Sequence, residues 1–285
     1  MADTDAAAAA FIAALEGTGQ RHAVDTVRGR VVWRRFGDGP PLVLLHGGHG
    51  SWLHWARNIG PLARHFTVWV PDLPGYGESD LPPELTLESL VDSTRAALDT
   101  LVAPGTAIHL VGFSFGGIVA ASLTARRGAV RQLALLGTAG HGGPRRPRGV
   151  LRLWRDAAER RDDAALAEVM RHNLLQHMLH EAAAVDALAL RIQTLACLRT
   201  RFRSKPISRS GGLGALLDAH RGPLLLRWGE HDVTSVPEHA AMTLSAGRAH
   251  CNSGLVAGAG HWVQYESAEC INANLLEWLG GSGGR

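Results

Sequence analysis

Ser114 stands in Gly112-Phe113-Ser114-Phe115-Gly116, after the apolar run Ala107-Ile108-His109-Leu110-Val111 and before Gly117-Ile118-Val119-Ala120-Ala121-Ser122-Leu123. A serine hydroxyl is a weak nucleophile until a base takes its proton. It must also project from the backbone, so that substrate and base can reach it from different sides. Gly-x-Ser-x-Gly meets both needs with a sharp strand-to-helix turn whose small flanking residues clear the neighbouring strand and helix. The pattern alone is common by chance, but joining an apolar strand to a helical stretch makes it specific.

The base and its orienting acid are sought beyond the carboxyl ends of later strands, where open α/β sheets place their sites. Leu224–Trp228 runs into Gly229-Glu230-His231-Asp232, and Leu255–Ala257 runs into Gly258-Ala259-Gly260-His261-Trp262. Asp232 is expected to hold the His261 imidazole in one tautomer, and His261 to shuttle the Ser114 proton. Glu230 is the rival acid, but it follows Gly229 directly, where the chain is still turning. His46-Gly47-Gly48-His49-Gly50 follows another apolar strand, and the Gly48 N–H is expected to pair with that of Phe115 as an oxyanion hole. Losing one such donor typically costs ~100- to 1,000-fold in rate. A metal is not expected at His46, His49 and His54, which fall in that turn without an acidic or thiol partner nearby in sequence. Asp72-Leu73-Pro74-Gly75-Tyr76-Gly77-Glu78-Ser79-Asp80 lacks the lysine and helix of a phosphate loop and reads as a structural turn.

Apolar runs alternate with helical stretches, which predicts a mostly parallel sheet covered by helices on both faces. His22–Val27 and Val31–Phe36 form a hairpin turning at Gly29, followed by strands at Leu42–Leu45, Phe66–Val70, Ala107–Phe113, Gln132–Leu136, Leu224–Trp228 and Leu255–Ala257. Helical spacing marks Trp55–Arg64, Leu87–Leu101, Gly117–Arg127 and Ala268–Leu279. The rhythm breaks between about 139 and 221, where a Pro/Gly/Arg-rich loop precedes helical segments near Leu151–Ala158, Asp163–Leu179 and Ala182–Leu198. Residues 1–138 and 222–285 are thus expected to form the core and 139–221 a helical lid, a connection too long for a plain loop. The alanine-rich N-terminus reads as a short helix, and Gly280–Arg285 as a flexible tail.

The chain has 285 residues, 46% hydrophobic and 19% charged, enough for one large core and too apolar for disorder. A net charge of +3 gives no general pull toward nucleic acid. No apolar run approaches the ~20 residues that span a bilayer. The acidic Asp3 and Asp5 stand where a secretory signal carries positive charge, so a cytoplasmic location is expected. Cys197, Cys251 and Cys270 match no zinc or redox spacing and read as free thiols.

Together, His46-Gly47-Gly48, the Asp72–Ser79 turn, Gly112–Gly116, Gly229–Asp232 and Gly260-His261 resemble the α/β-hydrolase superfamily across nearly the whole chain. The resemblance implies an eight-stranded, mostly parallel sheet with helices on both faces and an inserted helical lid. Serine at the nucleophile position speaks against the epoxide hydrolases and haloalkane dehalogenases, which carry aspartate there. Gly260-His261-Trp262-Val263-Gln264-Tyr265-Glu266 and Trp55-Ala56-Arg57-Asn58-Ile59 are similar to the meta-cleavage-product hydrolases, which cleave a carbon–carbon bond in ring-fission diketones. That likeness implies substrate-binding roles for Trp262 and for Arg191 on the lid; His54, a third substrate-binding candidate, departs from the family, which often has asparagine there, as does the shorter loop after His46-Gly47. The likeness also implies a homodimer, common among relatives.

The expected function is cofactor-free, serine-dependent hydrolysis of a small-molecule ester, lactone or activated ketone, with carbon–carbon hydrolysis as a specific version. Perhydrolysis, a lyase reaction on the same triad, or ligand binding without turnover stay open as alternatives. The lid is basic, with Arg145, Arg146, Arg148, Arg152 and Arg155 early and Arg199, Arg201, Arg203, Lys205 and Arg209 late. These form either a solvated surface or an inward grip on a substrate carboxylate. Trp52, Trp55, Trp154 and Trp262 are candidates for an apolar pocket lining, though packing accounts for at least half of them.

Overall fold

Alternating side chains of the third strand show how the core is layered. Leu42 and Leu44 pack into one apolar cluster and Val43 and Leu45 into the other, all four fully buried, so this strand lies between two covered faces. In the computed structural model, which describes residues 2–281 with side chains from Asp5 onward, eight strands form one sheet. They are β1 Gln20–Thr26, β2 Gly29–Phe36, β3 Pro41–Leu45, β4 Thr67–Pro71, β5 Ile108–Phe113, β6 Val130–Leu136, β7 Leu224–Gly229 and β8 Cys251–Val256. Their order is β1-β2-β4-β3-β5-β6-β7-β8, with β2 antiparallel to both its neighbours and every later pairing parallel. The expected α/β architecture is present. Residues 282–285, the end of the expected tail, lie outside the described residues.

Helices α1 Ala2–Gly17, α2 Ile59–Ala63, α3 Leu87–Leu101 and α4 Phe115–Arg127 precede β6 or flank it in sequence. The stretch between β6 and β7 carries α5 Arg155–Glu159, α6 Asp163–His177, α7 Ala187–Leu198, α8 Lys205–Arg209 and α9 Leu213–Asp218. After β7 come α10 Pro237–Ser245, α11 Val263–Glu266 and α12 Ala268–Gly280. α3 matches its expected bounds and begins at a Thr86 cap that accepts the Ser89 N–H.

Several boundaries differ for local reasons. The β1–β2 hairpin turns at Val27-Arg28, since Thr26 pairs with Gly29. The single helix expected at Trp55–Arg64 is a 3-10 turn, Trp52–Trp55, followed by α2. Residues Leu151–Trp154 are not helical: the Asn173 side chain accepts the Arg152 N–H and donates to the Arg152 carbonyl, so the backbone is held from outside. The helix expected from Ala182 starts at Ala187 instead, because the Asp186 carboxylate caps it by accepting the Ala189 N–H at 2.8 Å. α8, α9 and α10 are short and carried no expectation. β8 begins four residues earlier than its apolar run, since as an outer strand it is mostly half-buried or exposed and needs no such run. Among the described residues, no helix is long and apolar enough to cross a membrane.

Candidate active site

β5 ends at Phe113, and Ser114 follows with φ 52° and ψ −116°, a strained conformation for a non-glycine residue. Its N–H donates to the Leu136 carbonyl at 2.9 Å, and its carbonyl accepts the Gly117 and Ala139 N–H groups, so the surrounding backbone fixes the turn. The flanking glycines are sterically required. A Cβ on Gly112 would lie 2.4 Å from the Gly116 carbonyl oxygen, and one on Gly116 would lie 2.4 Å from that of Leu45.

Parallel pairing of β7 with β8, in register from Leu224↔Cys251 to Gly229↔Val256, brings the next two loops together. The Glu230 N–H donates to the Val256 carbonyl and that of His231 to the Ala259 carbonyl, lacing the loops edge to edge. His261 Nε2 then lies 2.9 Å from Ser114 Oγ, and His261 Nδ1 lies 2.8 Å from Asp232 Oδ2. The three expected side chains meet within hydrogen-bonding reach. Glu230 does not take part: its carboxylate is half exposed and accepts the Gly258 N–H.

Burial alone would raise the Asp232 pKa, but the His261 imidazole and the Thr234 N–H and hydroxyl outweigh it and hold the carboxyl below its usual value. Asp232 Oδ1 accepts the Thr234 N–H at 2.7 Å, and Thr234 Oγ1 sits 3.1 Å from His261 Nδ1. Thr234 carried no expectation, yet Asp232-Val233-Thr234 has the spacing of an Asx turn, which could have flagged it.

Gly48 and Ser114 line the same cavity, and Phe115 opens α4 directly after Ser114. Among the described residues, neither N–H has a hydrogen-bond acceptor, as two donors aimed at a substrate oxygen require. The other side chains of this loop serve the fold. His46 Nε2 accepts the Leu73 N–H at 2.9 Å, and burial lowers its pKa to about 4. The Asp72–Asp80 stretch is a turn in which the Asp72 carboxylate accepts the Trp52 and Glu78 N–H groups.

The three expected substrate-binding residues are not at the cavity. His54 is buried beneath the site, its Nδ1 accepting the Gly47 N–H and its carbonyl accepting Trp262 Nε1–H at 3.0 Å. Burial, then the neighbouring His46 and His261, hold its pKa well below the ordinary value. Trp262 is fully buried, stacked on Tyr265 with ring centroids 4.2 Å apart. Arg191 faces away from the site along α7 and ion-pairs with Asp5 of α1 at 3.0 Å. These side chains were placed by adjacency to His261 or by lid alignment, and neither fixes which side of an element they occupy. Of the four tryptophans considered, Trp154 lines the cavity, while Trp52, Trp55 and Trp262 are buried in packing.

The cavity holds about 490 Å³ and is lined by strand-end loops and by residues of the 139–221 stretch. Arg145, Arg146, Arg148, Arg152, Lys205 and Arg209 line it, and no aspartate or glutamate does among the described residues. Arg146 pairs with Glu238 and Arg152 with Glu168, whereas the other four have no carboxylate partner among the described residues. Burial, then the nearby Arg209 and Arg148, lower the Arg145 pKa against the opposing pull of Asp232, the direction expected where cations crowd. Residues 139–221 carry 15 Lys/Arg against 8 Asp/Glu, a net of +7 in a chain of net +3.

Residues 40–268 match the family described as alpha/beta hydrolase fold. A 2-hydroxy-6-oxononadienedioate/2-hydroxy-6-oxononatrienedioate hydrolase of Paraburkholderia phymatum is 29% identical, covering 97% of this chain and 97% of that protein. Naproxen esterase (carboxylesterase NP) of Bacillus subtilis superposes with a TM-score of 0.74 at 19% identity, over 97% of each chain. A meta-cleavage product hydrolase of Pseudomonas fluorescens IP01 does so at 0.72 and 20%, over 92% of this chain and 98% of that one. At such identities the two superpositions speak for the fold alone.

Proposed function

Because the chain belongs to the alpha/beta hydrolase family, we propose that it is a serine hydrolase whose nucleophile is Ser114 and whose substrate is a small ester, lactone or activated ketone with a carboxylate on its acyl part. The observation that carries this reading is the Ser114–His261–Asp232 chain of contacts at 2.9 and 2.8 Å. His261 takes the Ser114 proton as Oγ attacks the carbonyl carbon, and Asp232 stabilises the imidazolium. The Gly48 and Phe115 N–H groups stabilise the oxyanion, and His261 returns its proton to the leaving group. Water then attacks the acyl-serine, giving up its proton to His261, and the acid leaves as Ser114 Oγ is reprotonated. The unpaired Arg145, Arg148, Lys205 and Arg209 support the carboxylate, since a guanidinium binds carboxylate with paired, charge-assisted hydrogen bonds.

Carbon–carbon hydrolysis is the second reading. The relative matched along 97% of the chain is named for hydrolysis of a dienedioate, whose two carboxylates suit a cavity lined by cations. On such a substrate His261 would first move a proton in ketonisation and then serve the cleavage step.

A panel of p-nitrophenyl butyrate, p-nitrophenyl hydrogen glutarate and one dienoate ring-fission product tests both readings. Preference for the glutarate over the butyrate in kcat/KM supports the anionic ester. Turnover of the dienoate at a rate above both supports the carbon–carbon reading. Equal kcat/KM for the charged and neutral esters contradicts the carboxylate assignment.

A further inference from the structure

Behind the catalytic histidine lies a second, smaller cavity of about 50 Å³. His177, Met178, Val233 and His261 line both it and the substrate cavity, so these four residues lie between them. On the outer side His180 and His231 stack with ring centroids 3.6 Å apart and 14° between planes. Their side chains are 40% and 39% exposed, so the small cavity opens toward solvent without passing through the large one.

Its frame is firmly held. The Glu266 carboxylate accepts the N–H groups of His180, Glu181 and Gly260, at 2.7 Å for the last two. The Met178 carbonyl accepts the Trp262 N–H at 2.7 Å. The end of α6 is thereby docked on the loop that carries His261. A Cβ on Gly260 would lie 2.7 Å from the His180 nitrogen, so this contact tolerates no larger residue without a shift.

His177 closes α6 with its ring centroid 5.7 Å from that of His261. Its Nδ1 is buried and has no partner among the described residues. Leaving a buried polar atom unpaired is costly, so a small polar ligand is favoured beside it. Burial, then the neighbouring His261 and Arg148, lower the His177 pKa to about 3. At neutral pH it is an uncharged hydrogen-bonding group that does not repel a His261 imidazolium. The space admits one or a few waters, each needing about 10–15 Å³, and excludes an ester.

We propose that the small cavity holds and delivers the water that resolves the acyl-enzyme, and that His177 is the positioning residue for it. This rests on the serine-hydrolase reading, because only an acyl group on Ser114 needs a water to resolve it. The delivered water forms a bond from its oxygen to the acyl carbon and passes one proton to His261 Nε2. The carbon–Oγ bond then breaks, Oγ takes that proton, and the free acid departs.

Single-turnover quench with enzyme in excess over p-nitrophenyl butyrate separates the two half-reactions. Nitrophenol release reports acylation, and loss of the butyryl adduct mass reports deacylation. Leu175→Trp fills the cavity from α6, and His180→Trp closes its outer side. Both are expected to slow deacylation at least tenfold while acylation stays within twofold. His177→Phe is expected to slow deacylation similarly, with His177→Gln restoring part of the rate through its amide. Unchanged deacylation in both tryptophan variants, or equal loss of both half-reactions, overturns the proposal, as do equal deacylation rates in the two His177 variants. Undiminished nitrophenol release and butyrate formation in Ser114→Ala overturn the serine-hydrolase reading instead, and this proposal with it.

Discussion

The strand-end loops and the lid differ in how their residues are placed. Ser114, Asp232 and His261 come from loops after β5, β7 and β8, and sheet register sets their separation to within hydrogen-bonding distance. The lid has no such register. Its helices dock through separate contacts: Asp186 with Arg57 and Tyr265, Glu266 with the end of α6, and Arg191 with Asp5. Charge divides the same way, because a net of +7 lies within 139–221 while the whole chain is +3. On the proposed function, chemistry common to many substrates falls to the register-bound loops, and selection among substrates to a basic cover held by a few points.

Substitutions at the two acids of one loop sharpen the contrast most. Asp232→Asn is expected to lower kcat roughly 10⁴-fold, the scale of losing the orienting carboxylate of a serine triad. Glu230→Gln, two residues earlier, should stay within about twofold. A comparable loss in both, measured on p-nitrophenyl butyrate, would return the acid role to Glu230.

On the lid side, Arg145→Gln combined with Arg209→Gln should raise KM for the hydrogen glutarate ester by roughly 10- to 100-fold, the scale of a lost charged hydrogen bond. The neutral butyrate should be nearly unaffected. Arg191→Ala should leave both substrates alone, since its guanidinium pairs with Asp5 rather than facing the cavity. A selective glutarate defect in Arg191→Ala would restore the expectation drawn from family likeness.

The smallest effect concerns pH. Buried His46 and His177, with pKa values lowered to about 4 and about 3, refuse protons that the unfolded chain accepts below its ordinary value of about 6.5. Stability is therefore full above about pH 6.5 and declines as pH falls through the window toward 4. Each residue contributes up to about 2 kcal/mol of loss by pH 5. Urea midpoints at pH 7 and pH 5 should differ less in His177→Gln than in the unaltered protein. An unchanged difference would show that His177 does not carry its share.

What the sequence discloses follows the same division. Ser114, Asp232, His261, Gly48 and Phe115 were legible because each follows an apolar run, and runs of that kind become strands whose ends share one side of a parallel sheet. α3 was legible from its period and its Thr86 cap. The inward or outward direction of Arg191, His54 and Trp262 was not, because it depends on tertiary docking that no local pattern encodes. Thr234 sat in a readable turn. His177 had no local signal, since its place beside His261 arises from the docking of α6 onto the Gly260 loop. The first four residues of the outer strand β8 escaped because they are polar or half-exposed and carry no apolar run.

The central claim is that Ser114 is a nucleophile because His261, held by Asp232, activates it. Fluorophosphonate labelling followed by peptide mass analysis tests this most directly, comparing the unaltered protein with His261→Ala. The account predicts one adduct per chain, on Ser114, at a rate that collapses in the variant. No adduct, an adduct on another residue, or undiminished labelling without His261 would contradict it.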